Sequence, residues 1–243
     1  MPTLILTPRF TDDSQLLWRA ALEAGWHVER LHGWRVPDEL RTVSEPVLYV
    51  EGLMAPMIAR EFGLILREPP QDWLPRLPEE YRWREIQLMT LGQARQLRQP
   101  MFCKPPNDKS FPARVYGGDE LPDYLPDSQP VLVAEPVNCL EEFRCFLLDR
   151  RVVTFSLYLR HGEVQKEQGY YASEEEQAQA LRYVDQLLTD ERVQLPRAVV
   201  LDVGRIQDRG WAVVELNAAW GSGIYGCEPR QVLPVLRLAM EKV

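Results

Sequence analysis

The chain is poor in the residues that build metal and disulfide centres. Its 243 residues include four cysteines and three histidines. Cys103, Cys139, Cys145 and Cys227 keep no zinc-type spacing, and His27, His32 and His161 form no ligand cluster with them. Reduced, packed thiols in a cytoplasmic protein are the expectation. No apolar stretch approaches the ~18 residues of a membrane span. The opening MPTLILTPRF lacks the basic start and the long apolar core of a secretory signal. Runs of Lys or Arg are missing and the net charge is -8, so neither nucleic acid nor an anionic membrane is an expected partner. The first ~70 residues hold no G-x-G-x-x-G, hence no dinucleotide fingerprint there. Internal repeats and low-complexity tracts are absent as well.

What is present begins as alternating strands and helices. Short apolar strands are expected at 3–6, 27–31, 46–50 and 64–66. A helix capped by Asp12 or Asp13, with Leu16, Leu17, Ala20, Ala21 and Ala24 on its apolar face, ends at Gly25. A second helix is expected over 56–62. This alternation predicts a parallel α/β sheet over the first ~70 residues. The proline-rich stretch EPPQDWLPRLP (68–78) is a stiff connection, with Trp73 and Trp83 covering apolar surface where two halves meet. A helix is expected over 79–98. Short strands follow at 102–104, 113–116 and 131–134. A hairpin is predicted around Asp149-Arg150, and a helix opens with the capping box Ser173-x-x-Glu176. A final helix is expected over about 230–242.

The most informative stretch is 198–226. Two apolar runs flank Gln207-Asp208-Arg209-Gly210, the pattern of an antiparallel hairpin. A four-residue loop there sets Asp202 opposite Glu215; a register shift of two pairs it with Asn217. Either way Asp202, Glu215 and Asn217 share one face. Two carboxylates facing each other need a cation between them, and Mg²⁺ suits such oxygen donors. The alternative is a set of exposed polar residues on the wet side of a hairpin.

Phe102-Cys103-Lys104-Pro105, then VLVAEPVNCLEEFRCFLLDRRVV, LDVG and VVELNAAWGSGIYG stand in this order over residues 99–243. In order and spacing they resemble the ATP-grasp superfamily, and within it the small proteins named for two arginines and a lysine. The resemblance implies an α/β fold, α+β in its C-terminal part. A Rossmann-like pre-domain with a linker helix (1–98) would precede an ATP-grasp module. That module would have a small clamping subdomain (99–135) and a large subdomain with the metal site (136–243).

It also implies ATP and Mg²⁺ as cofactors. Lys104 would reach ATP phosphates. Glu135, Pro136, Val137 and Asn138 would read adenine through their backbone, and Glu142 would hold the ribose, with Glu141 a solvated neighbour. Arg144 and Arg160 would be the two arginines gripping an anion, while Arg150 and Arg151 sit solvated in a turn. Asp202, Glu215 and Asn217 would be the metal ligands, with Glu215 bridging. Two departures stand out. The glycine-rich phosphate loop is replaced by Asn107-Asp108-Lys109-Ser110-Phe111-Pro112, where Lys109 can supply charge instead. Val199, Val200 and Leu201 fill positions where an arginine often precedes the metal aspartate. The implied activity is carboxylate–amine ligation through an acylphosphate, on small-molecule or peptide substrates. A kinase on the same fold, or an ATP-binding module without chemistry, are the alternatives.

Overall fold

The computed structural model describes residues 1–242. Strand β1 (Thr3–Leu6) is buried throughout, and helix α1 (Asp12–Glu23) carries the chain to β2 (His27–Arg30). With β3 (Pro46–Tyr49) these strands form a parallel sheet in the order β2-β1-β3. Thr11, rather than Asp12 or Asp13, caps α1: its Oγ1 accepts from Ser14 N (3.1 Å) and Ser14 Oγ accepts from Thr11 N. The two aspartates lie in the first turn, where the helix dipole favours them. Helix α2 (Ala55–Glu61) leads to β4 (Leu64–Leu66), which stays outside the parallel sheet.

Helices α3 (Trp73–Arg76) and α4 (Glu79–Arg82) make the connection. Trp73 is buried and Trp83 is exposed, so only the first covers core. The helix expected over 79–98 does not form. Trp83 turns left-handed (φ 47°) and ends α4; then come β5 (Ile86–Thr90) and the short α5 (Leu91–Ala94). Strands β6 (Met101–Lys104), β7 (Arg114–Tyr116) and β8 (Pro130–Ala134) join β5 in an antiparallel sheet ordered β5-β8-β6-β7. Pairing with β8, distant in the chain, overrode the local helical pattern of 86–90.

The largest sheet contains β9 (Cys139–Leu148), β10 (Arg151–Arg160), β11 (Glu163–Val164), β12 (Ala198–Ile206) and β13 (Gly210–Asn217). Its order is β11-β10-β9-β12-β13. Asp149 and Arg150 both take positive φ in the β9–β10 turn, which matches the twist of a tight hairpin. Helix α6 (Glu174–Thr189) covers one face, over Phe143, Cys145, Leu147, Val199, Leu201 and Val203. Helix α7 (Pro229–Leu238) packs on β9, β10 and β12 of the other face and also on α1 and β3. It stops before 242. Residues Met240–Lys242 form β14 on β4, with Met240 against Leu66, because β4 offers a free edge.

Candidate active site

A row of side chains crosses the α7 face of the large sheet. Ser156 pairs with Arg144, Arg144 with Asp202, and Asp202 with Glu215, one residue on each of β10, β9, β12 and β13. Directly paired residues share a face, so all four converge. The Asp202–Glu215 pairing is the expected one, reached by another route. The hairpin loop has three residues, with Ile206 pairing Gly210, and a β-bulge at Val214 shifts the register by one before Asp202.

Arg144 clasps Asp202 through two bonds, Nε to Oδ1 at 2.9 Å and Nη2 to Oδ2 at 2.6 Å. Its Nη1 donates to Gly223 O (3.0 Å), and its guanidinium lies 4.9 and 4.8 Å from the Tyr158 and Tyr225 rings. Glu215 Oε1 is 3.8 Å from Arg144 Nη2 and accepts from Asn217 Nδ2 at 2.8 Å. Asn217 Nδ2 also reaches Asp202 Oδ2 at 3.2 Å. Lys104, at the end of β6, comes from the other sheet and donates Nζ to Glu215 Oε2. The sequence-predicted Lys104, Arg144, Asp202, Glu215 and Asn217 are thus one cluster.

The cluster is electrically balanced, two carboxylates against two cations. Asp202 is 0% exposed. Burial pushes its carboxyl up, to about 7, against the pull of Arg144. Burial also works against the Arg144 charge, but Asp202 outweighs it and holds the guanidinium protonated. The two-bond clasp makes this an ion pair. Glu215 is likewise disfavoured by burial, yet Lys104, Arg144 and Asn217 keep it below the usual carboxylate range.

The stretch 135–138 links β8 to β9. Glu135 N donates to Glu85 O, its side chain pairs with Arg209 (Nη1–Oε2 2.9 Å), and Asn138 O accepts from Gln207 N. Glu142 accepts from the Tyr158 hydroxyl at 2.9 Å.

Arg160 does not reach this face. Between Leu157 and Leu159 a second bulge reverses the alternation of β10, so Arg160 pairs with Glu141 on the α6 side. There its Nη1 lies 2.9 Å from Glu176 Oε1. Glu141 is buried rather than solvated, clasped by Arg205 at 2.7 and 3.0 Å. Arg150 is also engaged. It donates to the carbonyls of Leu188, Asp190 and Val193 and so closes the C-terminal end of α6. Lys109 is exposed in its loop, and Asn107 of the same loop is tied to Pro69 O at 2.8 Å. Sequence reasoning missed Arg84. Its guanidinium donates to Val213 O (2.9 Å) and Val214 O (3.2 Å) at the bulge beside Glu215.

The crevice at Lys104 and Glu215 is walled by Pro69, Pro70, Trp73 and Leu132. A larger cavity of about 530 Å³ lies behind that wall, lined by Trp73, Leu195, Met240, Arg67, Arg76 and Arg197. It holds none of the clustered residues. Among the described residues no three or more Asp, Glu, His or Cys side chains are grouped to hold a metal ion; the candidate set is two carboxylates and an amide.

Comparison with known proteins places these observations. Residues 81–235 match the model of an ATP-grasp domain family, the second family of the clade named for two arginines and a lysine. No curated protein matches the sequence. Among solved structures, a D-cycloserine synthetase is similar at TM-score 0.60 and 11% identity, covering 97% of this chain and 98% of that one. An ATP-grasp RimK domain protein from Sphaerobacter thermophilus is similar at 0.56 and 12%, covering 98% of each. A D-alanine–D-alanine ligase from Bacillus anthracis is similar at 0.52 and 11%, covering 98% and 96%. At these identities the likeness is one of fold.

Proposed function

Because the chain belongs to the ATP-grasp family, in the clade named for two arginines and a lysine, we propose that it is an ATP- and Mg²⁺-dependent ligase joining a carboxylate to an amine. The observation that carries this reading is the meeting of Lys104 with Glu215, Asn217, Asp202 and Arg144 across two sheets.

Glu215, Asn217 and Asp202 offer the hard oxygen donors that Mg²⁺ takes. Glu215 and Asn217 are half-buried, whereas both oxygens of the fully buried Asp202 are committed to Arg144. The set fits the ion through Glu215 and Asn217, with Asp202 holding Arg144 in place beside them. When bound, Mg²⁺ would neutralise phosphate oxygens. Adenine would lie along 135–138 and the ribose on Glu142. Lys104 would leave Glu215 for the phosphates and neutralise charge there. A substrate carboxylate oxygen attacks the γ-phosphorus, the bond to the β-phosphate oxygen breaks, and ADP departs with the electron pair. An amine then attacks the acyl carbon, phosphate leaves, and the amine proton passes to solvent. The cluster positions and neutralises; no side chain bonds covalently.

The test is ADP release with and without amine acceptors, with products followed by mass spectrometry across amino acid and peptide mixtures. A ligase yields a condensed product whose mass equals acid plus amine minus water, in step with ADP. ADP release accompanied only by a stable phosphorylated product indicates a kinase, and no release at all overturns catalysis.

The ribose contact has its own expected result. Burial pushes Glu142 above the usual carboxylate range, with the Tyr158 hydroxyl pulling the other way. Ribose hydroxyls donate to the ionised form, so lowering the pH through that raised value opposes binding. As the pH falls from neutral toward the usual carboxylate range, ATP affinity falls more steeply in the wild type than in Glu142→Gln. At pH 7 the variant binds more weakly by about 1–3 kcal/mol. Calorimetry checks both; parallel pH profiles would remove Glu142 from the ribose.

A further inference from the structure

The bulge at Val214 decides which face Glu215 presents. From the turn to Val203↔Val213 the hairpin keeps one register; beyond it Asp202 pairs with Glu215, one residue further on. Without the extra residue Asp202 would face Val214, and Glu215 would face Leu201 and the core under α6. The apolar pattern demands a bulge somewhere, because Val213 and Leu216 both enter the α6 core yet are an odd number of residues apart. It does not say where. A bulge at Val214 or at Glu215 satisfies it equally, and only the first sets Glu215 squarely against Asp202.

Arg84 distinguishes the two. A regular strand sends successive carbonyls to opposite edges. A bulge turns two successive carbonyls the same way, and β13 is the edge strand, so they point away from the sheet. Arg84 takes that pair, with Nη1 on Val213 O and Nη2 on Val214 O, and Nη1 also bonds Arg82 O at 3.0 Å. No carboxylate pairs with Arg84 among the described residues; its donors go to backbone. Gly204 supplies the room: a Cβ there would stand 3.0 Å from Val214 Cγ2 and 3.1 Å from Glu142 Cγ.

We propose that Arg84 is a positioning residue, which pins the β-bulge on Val214 and thereby holds Glu215 and Asn217 on the same face as Asp202 and Arg144. A bulge moved to Glu215 would present the carbonyls of residues 214 and 215 instead, leaving Val213 O turned inward and Arg84 with one acceptor of the pair. Arginine suits the task because its planar fork spans two acceptors, which an ammonium does not.

The test needs no ligand, so its failure is distinct from a failure of the ligase reading. Full-length, isotope-labelled wild type, Arg84→Met and Arg84→Lys are compared by cross-strand nuclear Overhauser contacts. In Arg84→Met the contacts reporting Asp202 opposite Glu215 fall by half or more, and Asp202–Val214 contacts strengthen at their expense. Those between Arg205 and Trp211, on the turn side of the bulge, persist. Arg84→Lys restores the wild-type contacts only in part. Unchanged Asp202–Glu215 contacts in Arg84→Met would overturn the proposal, as would loss of pairing along the whole hairpin. Should Arg84→Met fail to fold, Arg84→Gln is read by the same criterion.

Discussion

Glu215→Gln is expected to keep the fold and lose ATP turnover. Glu215 is where the two sheets meet: it accepts from Lys104 and Asn217, lies 3.8 Å from Arg144 and faces Asp202. The amide is nearly isosteric and can still bond Asn217. It supplies neither the charge that balances Lys104 nor the anionic donor a divalent ion takes. Several kcal/mol of charge stabilisation should disappear, lowering kcat by about three orders of magnitude. Stability has a sign of its own. Glu215 is held below its ordinary 4.5, so it contributes stability above that value and loses it as pH falls further. The variant should therefore melt lower at neutral pH and lose less on acidification. ADP release against Mg²⁺ concentration, with melting curves at two pH values, checks both parts. Turnover near wild type would detach Glu215 from the chemistry.

Arg144→Met should be the most destabilising single change in the cluster. It leaves the fully buried Asp202 carboxyl without its two strongest donors, to carry an unpaired charge or take up a proton. Breaking a buried pair by removing one partner costs about 3–5 kcal/mol. For a chain of this size that lowers Tm by about 6–20 °C. Adding Asp202→Leu should recover most of the loss, because the stranded polar carboxyl goes with it, while ATP turnover stays absent. Arg160→Met, whose side chain is 32% exposed on the α6 side, should change stability by about 1 kcal/mol or less and leave turnover in place. Calorimetric melting of these variants beside the wild type decides it. If the single and double changes melt alike, the cost lies in the lost packing between Tyr158 and Tyr225 rather than in the charge.

The contrast between the arginines shows what sequence could carry. Arg144 stands in an apolar run, and an arginine there must meet an anion; that much was legible. The anion is the protein's own Asp202, which strand alternation alone did not reveal. Arg160 was misplaced because strict alternation puts it on the face of Ser156, and the bulge between Leu157 and Leu159 reverses it. The Asp202–Glu215 register came out as expected by compensation: a loop one residue shorter and a bulge one residue longer cancel. The spacing of Trp211, Val213 and Leu216 carried the signal for that bulge. The early strands were legible because they are short apolar runs bounded by turn residues. The strand at 86–90 was not, since its identity depends on β8 rather than on its own pattern.

The pairing of β14 with β4 bears on how the protein is made. Leu4, Ile5, Leu48 and Ile58 share one core with Val232, Leu233, Val235, Leu236 and Met240. A ribosome delivers β1 to β4 early, but the residues that close their core, Val232 to Met240, come much later. At roughly 5–20 residues per second the wait is on the order of ten seconds. Throughout it the nascent parallel sheet carries an uncovered apolar side and β4 an unpaired edge. That core is therefore completed only after Met240 has been made, and the early strands are a segment on which nascent-chain chaperones would act.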